Sequence, residues 1–315
     1  MHGRIRIRRF LQLMKHVLII LGAIFLLITI ICIQLVRASS HRIPKRTHKD
    51  LVEGGVVSMC SPAFNRILPP ASGERPLIII ITPTHARPTR LADMIRFAQT
   101  LMHIHDIVWL VIEDGDALSD PVYRIIRRTQ RAYCYFGVKR NRALPLRGWT
   151  ARDFALKFLR KRFAEFSNRA IVYFADDDNT YDIRLFDMFI RKVKTVGVWA
   201  VGIVAQRPVE APRVNNDSVV DGWLTDYAPK REWAIDMAGF ALNLNIILQR
   251  KNANFIDCKV SSPEPCLLSR LNLTKQDLQP FGHADYPRDI LVWHTKSSHL
   301  IKKGLMKRSY GYLIE

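Results

Sequence analysis

The chain has 315 residues, a formal net charge of +20 and five cysteines. Residues 1–50 hold ten Lys/Arg against the single acid Asp50, so +9 sits there and +11 in the rest. Such a balance attracts anions, whether phosphates, nucleotides, acidic glycans or nucleic acid. The absence of any C-x-x-C pair argues against a zinc cluster.

From Val17 to Val36 the chain reads VLIILGAIFLLITIICIQLV, with no charge and one side-chain amide, Gln34. That is the length a helix needs to cross a hydrocarbon core. A cleaved signal has a shorter apolar run and a small-x-small site. Here the run is longer and is followed by Arg37-Ala38-Ser39-Ser40-His41, so a signal anchor is expected. Five basic residues precede the run and five follow it, which leaves the orientation open. The stretch from His41 to Pro76 is rich in Pro, Gly, Ser and basic residues and reads as a largely irregular stem.

From Pro76 the pattern changes. Leu77 to Ile81 is an apolar, β-branched run and predicts a buried strand. Leu91, Met94, Ile95, Ala98, Leu101 and Met102 recur at helical spacing. Ile107 to Ile112 predicts a second strand, ending in Glu113-Asp114-Gly115-Asp116. A helix over 121–130, a strand over 133–138, a helix over 150–166 and a strand over 170–174 follow. A further helix over 183–193 and a strand over 198–204 complete the series. Alternating helices and fully apolar strands predict an α/β fold with a parallel sheet covered on both faces. Ligands of such sheets lie beyond the carboxyl ends of the strands, where Thr82-Pro83-Thr84, Glu113-Asp114 and Asp176-Asp177-Asp178 all fall. After Val204 the alternation weakens into a more irregular half.

Three adjacent carboxylates repel and raise one another's pKa. They are tolerable around a hard divalent cation with oxygen ligands, such as Mg2+ or Mn2+. The competing reading is a solvated turn or helix cap, and the apolar strand just before the acids favours the metal. There is no G-x-x-x-x-G-K-[ST], no G-x-G-x-x-G after a strand and no G-x-S-x-G. A nucleotide held through a metal is therefore expected. Cys60, Cys134, Cys258 and Cys266 allow three pairings; a local Cys258–Cys266 bridge and free thiols both stand open. Asn216-Asp217-Ser218 and Asn272-Leu273-Thr274 fit the N-glycosylation pattern.

The segments IITPTHARPTRLADMIRFAQTL, WLVIEDGD, VYFADDDNTYD, DMAGFAL, EPCLLSRL and LVWHTK, in this order and spacing, resemble the metal-dependent β-1,3-glucuronosyltransferases. The resemblance implies a GT-A-type nucleotide-sugar fold and a Golgi-resident, type II membrane protein. It implies a cytosolic tail over 1–16, a transmembrane anchor over 17–36, a stem over 37–75 and a lumenal domain over 76–315. That domain would have a nucleotide-sugar half (76–204) and an acceptor half (205–315). The expected reaction is inverting transfer of glucuronic acid from UDP-glucuronic acid to the 3-hydroxyl of a terminal β-galactose, by a homodimer that binds no nucleic acid.

Residue by residue, the resemblance implies that Asp178 holds Mn2+, Asp177 meets the ribose, Asp176 the sugar and Asp114 the uracil. Pro83 and His85 fall on the nucleobase side, Arg147 and Arg152 near the donor sugar, His294 at the diphosphate, and Lys296 among the donor-binding residues. Glu264 corresponds to the catalytic base; Glu210, Arg231 and Asp236 correspond to acceptor contacts. The pattern departs at His85, where the family usually has Tyr, and at Lys296, where it has Arg. It departs again at Pro265-Cys266, where small hydroxyl residues are common. These departures bear on acceptor choice more than on activity. A glycan-binding protein without turnover is the second reading, supported by the altered surroundings of Glu264. A nucleic-acid binder, prompted by charge, lacks any recognisable module.

Overall fold

The computed structural model describes residues 14, 16, 20–30, 56–146, 148–256, 258, 262–295 and 297. The chain divides into two units, Met1–Arg46 and Thr47–Glu315. In the first, residues 20–30 are helical and expose Phe25 and Leu26. The rest of the expected 17–36 span lies outside the described residues. Among the described residues no helix is long and apolar enough to cross a membrane.

The second unit is built on β2 (Leu77–Thr84), the centre of an eight-stranded sheet. Side chains on a strand alternate between faces. Leu77, Ile79 and Ile81 accordingly enter one core, and Ile78 and Ile80 the other. A strand that must be apolar on both sides reads as an unbroken apolar run, which is why it was legible. On one side β2 pairs in parallel with β3 (Ile107–Asp114), and β3 with β4 (Ala132–Val138). On the other it pairs in parallel with β5 (Ala170–Phe174).

The parallel expectation holds for these four strands but not for the sheet as a whole. β1 (Val57–Cys60) joins β4 antiparallel. At the far side β11 (Phe240–Asn243) runs antiparallel to both β5 and β7 (Val196–Val198), and β12 (Leu278–Pro280) runs parallel to β7. The sheet is therefore mixed. Five strands form a second sheet: β6 (Thr180–Tyr181), β8 (Val201–Gly202), β9 (Val209–Val214), β10 (Val220–Leu224) and β13 (Val292–Trp293), in the order β10-β9-β8-β13-β6. Strands from both sides of residue 204 share each sheet.

Several local expectations are corrected. The stretch read as irregular stem supplies β1 and a one-turn helix, α1 (Pro62–Asn65). Ser61 caps α1, its Oγ accepting from Phe64 N at 3.1 Å, and Phe64 is fully buried. Burying one phenyl ring contributes about 2–3 kcal/mol, which a stretch judged by its Pro and Gly content hides. Cys60 sits opposite Cys134 in the β1–β4 register and is bonded to it. The expected helix over 183–193 is a wide turn, Leu185–Phe189, followed by a tight one, Ile190–Lys192. The strand expected over 198–204 splits between the two sheets. Ile203, Ala205 and Gln206 then take positive φ, which no β-branched pattern signals.

Three longer helices flank the sheet: α2 (Arg90–Leu101), α3 (Asp120–Arg128) and α4 (Trp149–Arg162). Two shorter ones follow, α5 (Leu244–Gln249) and α6 (Pro263–Arg270). At the start of α2, Arg90 is buried and pairs with buried Glu113 at the end of β3, 2.6 Å apart. Truncating the carboxylate of a buried ion pair takes away both its charge and its hydrogen-bond acceptor, at a cost of about 3–5 kcal/mol. Glu113→Ala is therefore expected to lower the unfolding free energy by about 3 kcal/mol or more, whereas Glu113→Gln, which keeps an acceptor, loses less. Urea unfolding of the three proteins checks this.

Candidate active site

The carboxyl ends of β2, β3 and β5 open onto one cavity of about 450 Å3, lined by Pro83, His85, Asp114, Arg152 and Asp176 to Asp178. A second, of about 750 Å3, is lined by Glu210, Arg231, Asp236, Glu264 and His294. Trp149, Arg152, Asp176 and Asp178 line both. Every expected site residue that the structure describes thus lies on one or the other, the glycosylation candidates apart. Arg147 and Lys296 lie outside the described residues. His294, expected with the donor set, lies on the second cavity.

The three acids meet different surroundings. Asp176 is paired with Arg152 on α4. Asp177 is buried and accepts from Thr84 Oγ1 at 2.6 Å and from both terminal nitrogens of Arg87 at 2.9 Å. That two-pronged geometry suits a guanidinium and a carboxylate. Burial still raises the Asp177 carboxyl above its ordinary pKa, against the pull of Arg87 and Thr84. Asp178 offers its backbone carbonyl to Arg96 Nη2 and Thr295 Oγ1, each at 2.6 Å. Its carboxylate forms no ion pair among the described residues, and burial, then Asp176 and Asp177, push it up to about 6. A carboxylate crowded by like charges suits a hard cation. Among the described residues no three acids, histidines or cysteines gather as a ready metal cage. A cation at Asp178 would therefore depend on ligand oxygens and water, the usual habit of Mg2+-like ions.

In the second cavity Asp236 caps a short turn, its Oδ1 accepting from Ala238 N at 2.8 Å and lying 2.9 Å from His294 Nε2. Burial opposes a charge on His294, but the hydrogen bond and charge of Asp236 win and raise it to about 9. Glu264 stands on the first turn of α6, where Oε1 accepts from Met237 N at 3.2 Å. Burial, then the charge of Asp236, push its carboxyl up to about 8. A glutamate between two prolines would by itself read as a solvated turn, but here the prolines occupy a helix start, where missing N–H groups cost little. Glu210 is buried beside Arg231, 2.7 Å away, and Thr225 Oγ1, also 2.7 Å away. Its other oxygen, Oε1, is buried with no hydrogen-bond partner among the described residues.

The family model described as glycosyltransferase family 43 matches residues 97–298. The chain belongs to glycosyltransferase family 43. Human galactosylgalactosylxylosylprotein 3-beta-glucuronosyltransferase 1 is 41% identical over 242 residues, covering 73% of this chain and 71% of that one. Galactosylgalactosylxylosylprotein 3-beta-glucuronosyltransferase sqv-8 of Caenorhabditis elegans is 33% identical over 259 residues, 78% of this chain and 70% of that one. Among solved structures, S. aureus TarS 1–349 aligns with TM-score 0.47 at 14% identity over 70% of this chain and 60% of that one; so distant a likeness carries no argument.

Sequence reasoning missed several residues of this family 43 site. Arg87 and Arg96, which brace the acid turn, stood inside a quoted segment, but nothing marks one surface-type arginine among so many. Gly148 was missed too. It has φ 75°, and a Cβ there would meet Arg152 Nη1 and Pro83 Cβ, both at 2.8 Å. The bare glycine lets the loop close on the cavity. Left-handed backbone costs an ordinary residue about 1–2 kcal/mol, and the added methyl also displaces Arg152 or Pro83. Gly148→Ala is expected to weaken donor binding by about tenfold, the equivalent of about 1.4 kcal/mol, with little effect on acceptor KM; steady-state kinetics checks this.

The raised carboxyl of Glu264 has a second consequence. A folded-state pKa of about 8 against an ordinary 4.5 means the native protein holds a proton the unfolded chain has lost across that window. This stabilising contribution is fully present below pH 4.5 and is lost as pH rises through about 8. Glu264→Gln should flatten that decline; urea midpoints of both proteins across that range test it.

Proposed function

We propose that this family 43 member is an inverting β-1,3-glucuronosyltransferase. It moves glucuronic acid from UDP-glucuronic acid to the 3-hydroxyl of a terminal β-galactose, in the glycosaminoglycan linker of proteoglycans or a related glycoprotein glycan. The observation that carries this reading is the shared wall: Arg152, Asp176 and Asp178 face both cavities, so a donor in one presents its reacting carbon to an acceptor in the other. The names of the relatives supply the sugar and the linkage.

Glu264 is placed to take the proton from the acceptor 3-hydroxyl. As it does so, that oxygen bonds to the anomeric carbon and the bond from carbon to UDP oxygen breaks, in one displacement. Once ionised, a carboxyl whose proton affinity is raised is a stronger base than an exposed one, and for Glu264 that form is reached as pH approaches about 8. Glu210 and Arg231 orient the acceptor, and the partnerless Oε1 of Glu210 suits a sugar hydroxyl. Asp236 holds His294 between the acceptor and the diphosphate. Arg152, braced by Asp176, offers a planar cation to the glucuronate carboxylate; Arg147 and Lys296 are proposed to add positive charge. Asp114, Pro83 and His85 serve the nucleobase, and Asp177 the ribose. Asp178 would hold Mn2+, whose contribution when bound is neutralisation of charge on the departing diphosphate.

The remaining expectations belong to the same reading: a GT-A-type domain on a type II anchor over 17–36, lumenal in the Golgi, acting as a homodimer. Two disulfides suit an oxidising lumen. Asn216 and Asn272 are exposed, as glycan acceptors must be.

The test is UDP release from UDP-glucuronic acid with Mn2+, offering galactose-β-1,3-galactose beside lactosamine. Release should require acceptor and metal. Glu264→Gln should lower kcat by about 10²–10⁴-fold with UDP binding retained, and Asp178→Asn should abolish turnover and remove the gain in UDP affinity that Mn2+ gives. A folded wild-type chain that binds UDP and Mn2+ but releases nothing with either acceptor would count against the reading.

A further inference from the structure

Glu264 stands on a helix turn that lacks the usual fastening. Ser262 is the N-cap residue of α6, yet its side chain makes no capping hydrogen bond. A capping hydroxyl accepts from the N–H of the second or third helical residue. The third here is Pro265, which has no N–H, and Pro263 occupies the first position. Only the Glu264 N–H is left for such a cap, and Ser262 does not take it. Cys266, two residues beyond Glu264 and buried, is instead bonded to Cys258, with the two Cα atoms 5.7 Å apart.

The other end of that bond is well anchored. Cys258 follows closely on Phe255, whose N–H donates to Asp153 Oδ1 of α4 at 3.0 Å. The Phe255 ring lies edge-on to Trp149 at 6.1 Å and to Phe174 at 6.2 Å between centroids. Trp149 opens α4, the helix of Arg152, and walls both cavities. Phe174 ends β5, two residues before Asp176. The disulfide thus runs from the turn bearing Glu264 to the packed aromatic group that carries the donor-side residues.

We propose that the Cys258–Cys266 disulfide is a positioning device: it fixes Glu264 at a set distance from the Arg152–Asp176 wall, so turnover depends on the bridge being oxidised. This rests on the transferase reading of the same site. The bridge carries no charge, and neither cysteine is among the residues that line the two cavities. It holds Glu264 where an acceptor hydroxyl and the anomeric carbon meet, and displacement by about 1 Å can cost about 100-fold in rate.

The test uses the full-length chain in detergent, with UDP-glucuronic acid, Mn2+ and galactose-β-1,3-galactose. Cys258→Ser, Cys266→Ser and the double variant are compared with a Cys60→Ser/Cys134→Ser control, whose bridge ties β1 to β4 instead. Loss of the 258–266 bridge is expected to lower kcat by about 10–100-fold, leaving donor KM and UDP affinity unchanged. Single and double variants should agree, because either cysteine alone breaks the bond. Mild reduction of the wild-type chain, with the bridges mapped by mass spectrometry, should lower kcat equally, and reoxidation should restore it, which covers the case of a variant that does not fold. The control should shift the melting temperature but not kcat. An active wild type whose kcat ignores the bridge, or whose Cys258 and Cys266 map as thiols, overturns the proposal. So does a fall in kcat matched by an equal fall in UDP affinity, the sign of a merely structural bond. An inactive wild type removes the transferase reading, and the positioning role with it.

Discussion

Three carboxylates in succession at the end of a buried strand impose the constraint around which the rest of the site is organised. Like charges so close cannot all stay ionised without compensation, and the fold answers each differently. Asp176 takes a guanidinium from α4. Asp177 takes one from the loop before α2, together with a threonine hydroxyl from β2. Asp178 receives no ion-pair partner among the described residues and is left facing both cavities. The two paired acids tie the turn to α4 and to the loop before α2, and the third has no such tie among the described residues.

A network beneath the turn keeps it aimed. Arg87 reaches both Asp177 and Asp93, and Arg96 reaches both Asp93 and the carbonyl of Asp178. Thr295 donates to that same carbonyl, and Ser297 donates to Asp93 at 2.7 Å. One helix start, one strand end and the segment after β13 are thereby locked together. Segments far apart in the chain meet at the acids because each carries a polar group that the acids, or their partners, require.

The second cavity follows the same logic with the sign of the problem reversed. Glu264 is buried with a backbone donor and a neighbouring acid but no guanidinium within ion-pair range among the described residues. Its charge is left to burial and a neighbouring acid, where that of Asp177 is met by Arg87 and Thr84. One fold therefore contains both a carboxylate braced by a guanidinium and one buried without it, a difference set by surroundings and not by residue type.

The sequence by itself determined the parts whose cause is local. The run Leu77 to Ile81 had to be buried on both faces, because nothing polar interrupts it. The polar groups ending β2, β3 and β5 had to share an edge once those strands were parallel, so Pro83, Asp114 and Asp176 to Asp178 could be grouped before any coordinates. The spacing of the motif segments carried the family and, through it, Glu264, Asp236 and His294. What only the tertiary structure decided are relations that depend on distant partners. The pairing of Cys60 with Cys134 needs the register of β1 on β4, and β1 itself is stabilised by a sheet edge that its own composition does not reveal. The antiparallel entry of β11 follows from the path of the chain through the second sheet. Arg87 and Arg96 look like any exposed arginine until the acid turn lies above them. The setting of Glu264, a proline-flanked residue that alone reads as solvated, is made by Asp236, Met237 and the Cys258–Cys266 bond. Burial and charge pairing act across space, and a single chain's order of residues does not contain those distances until it folds.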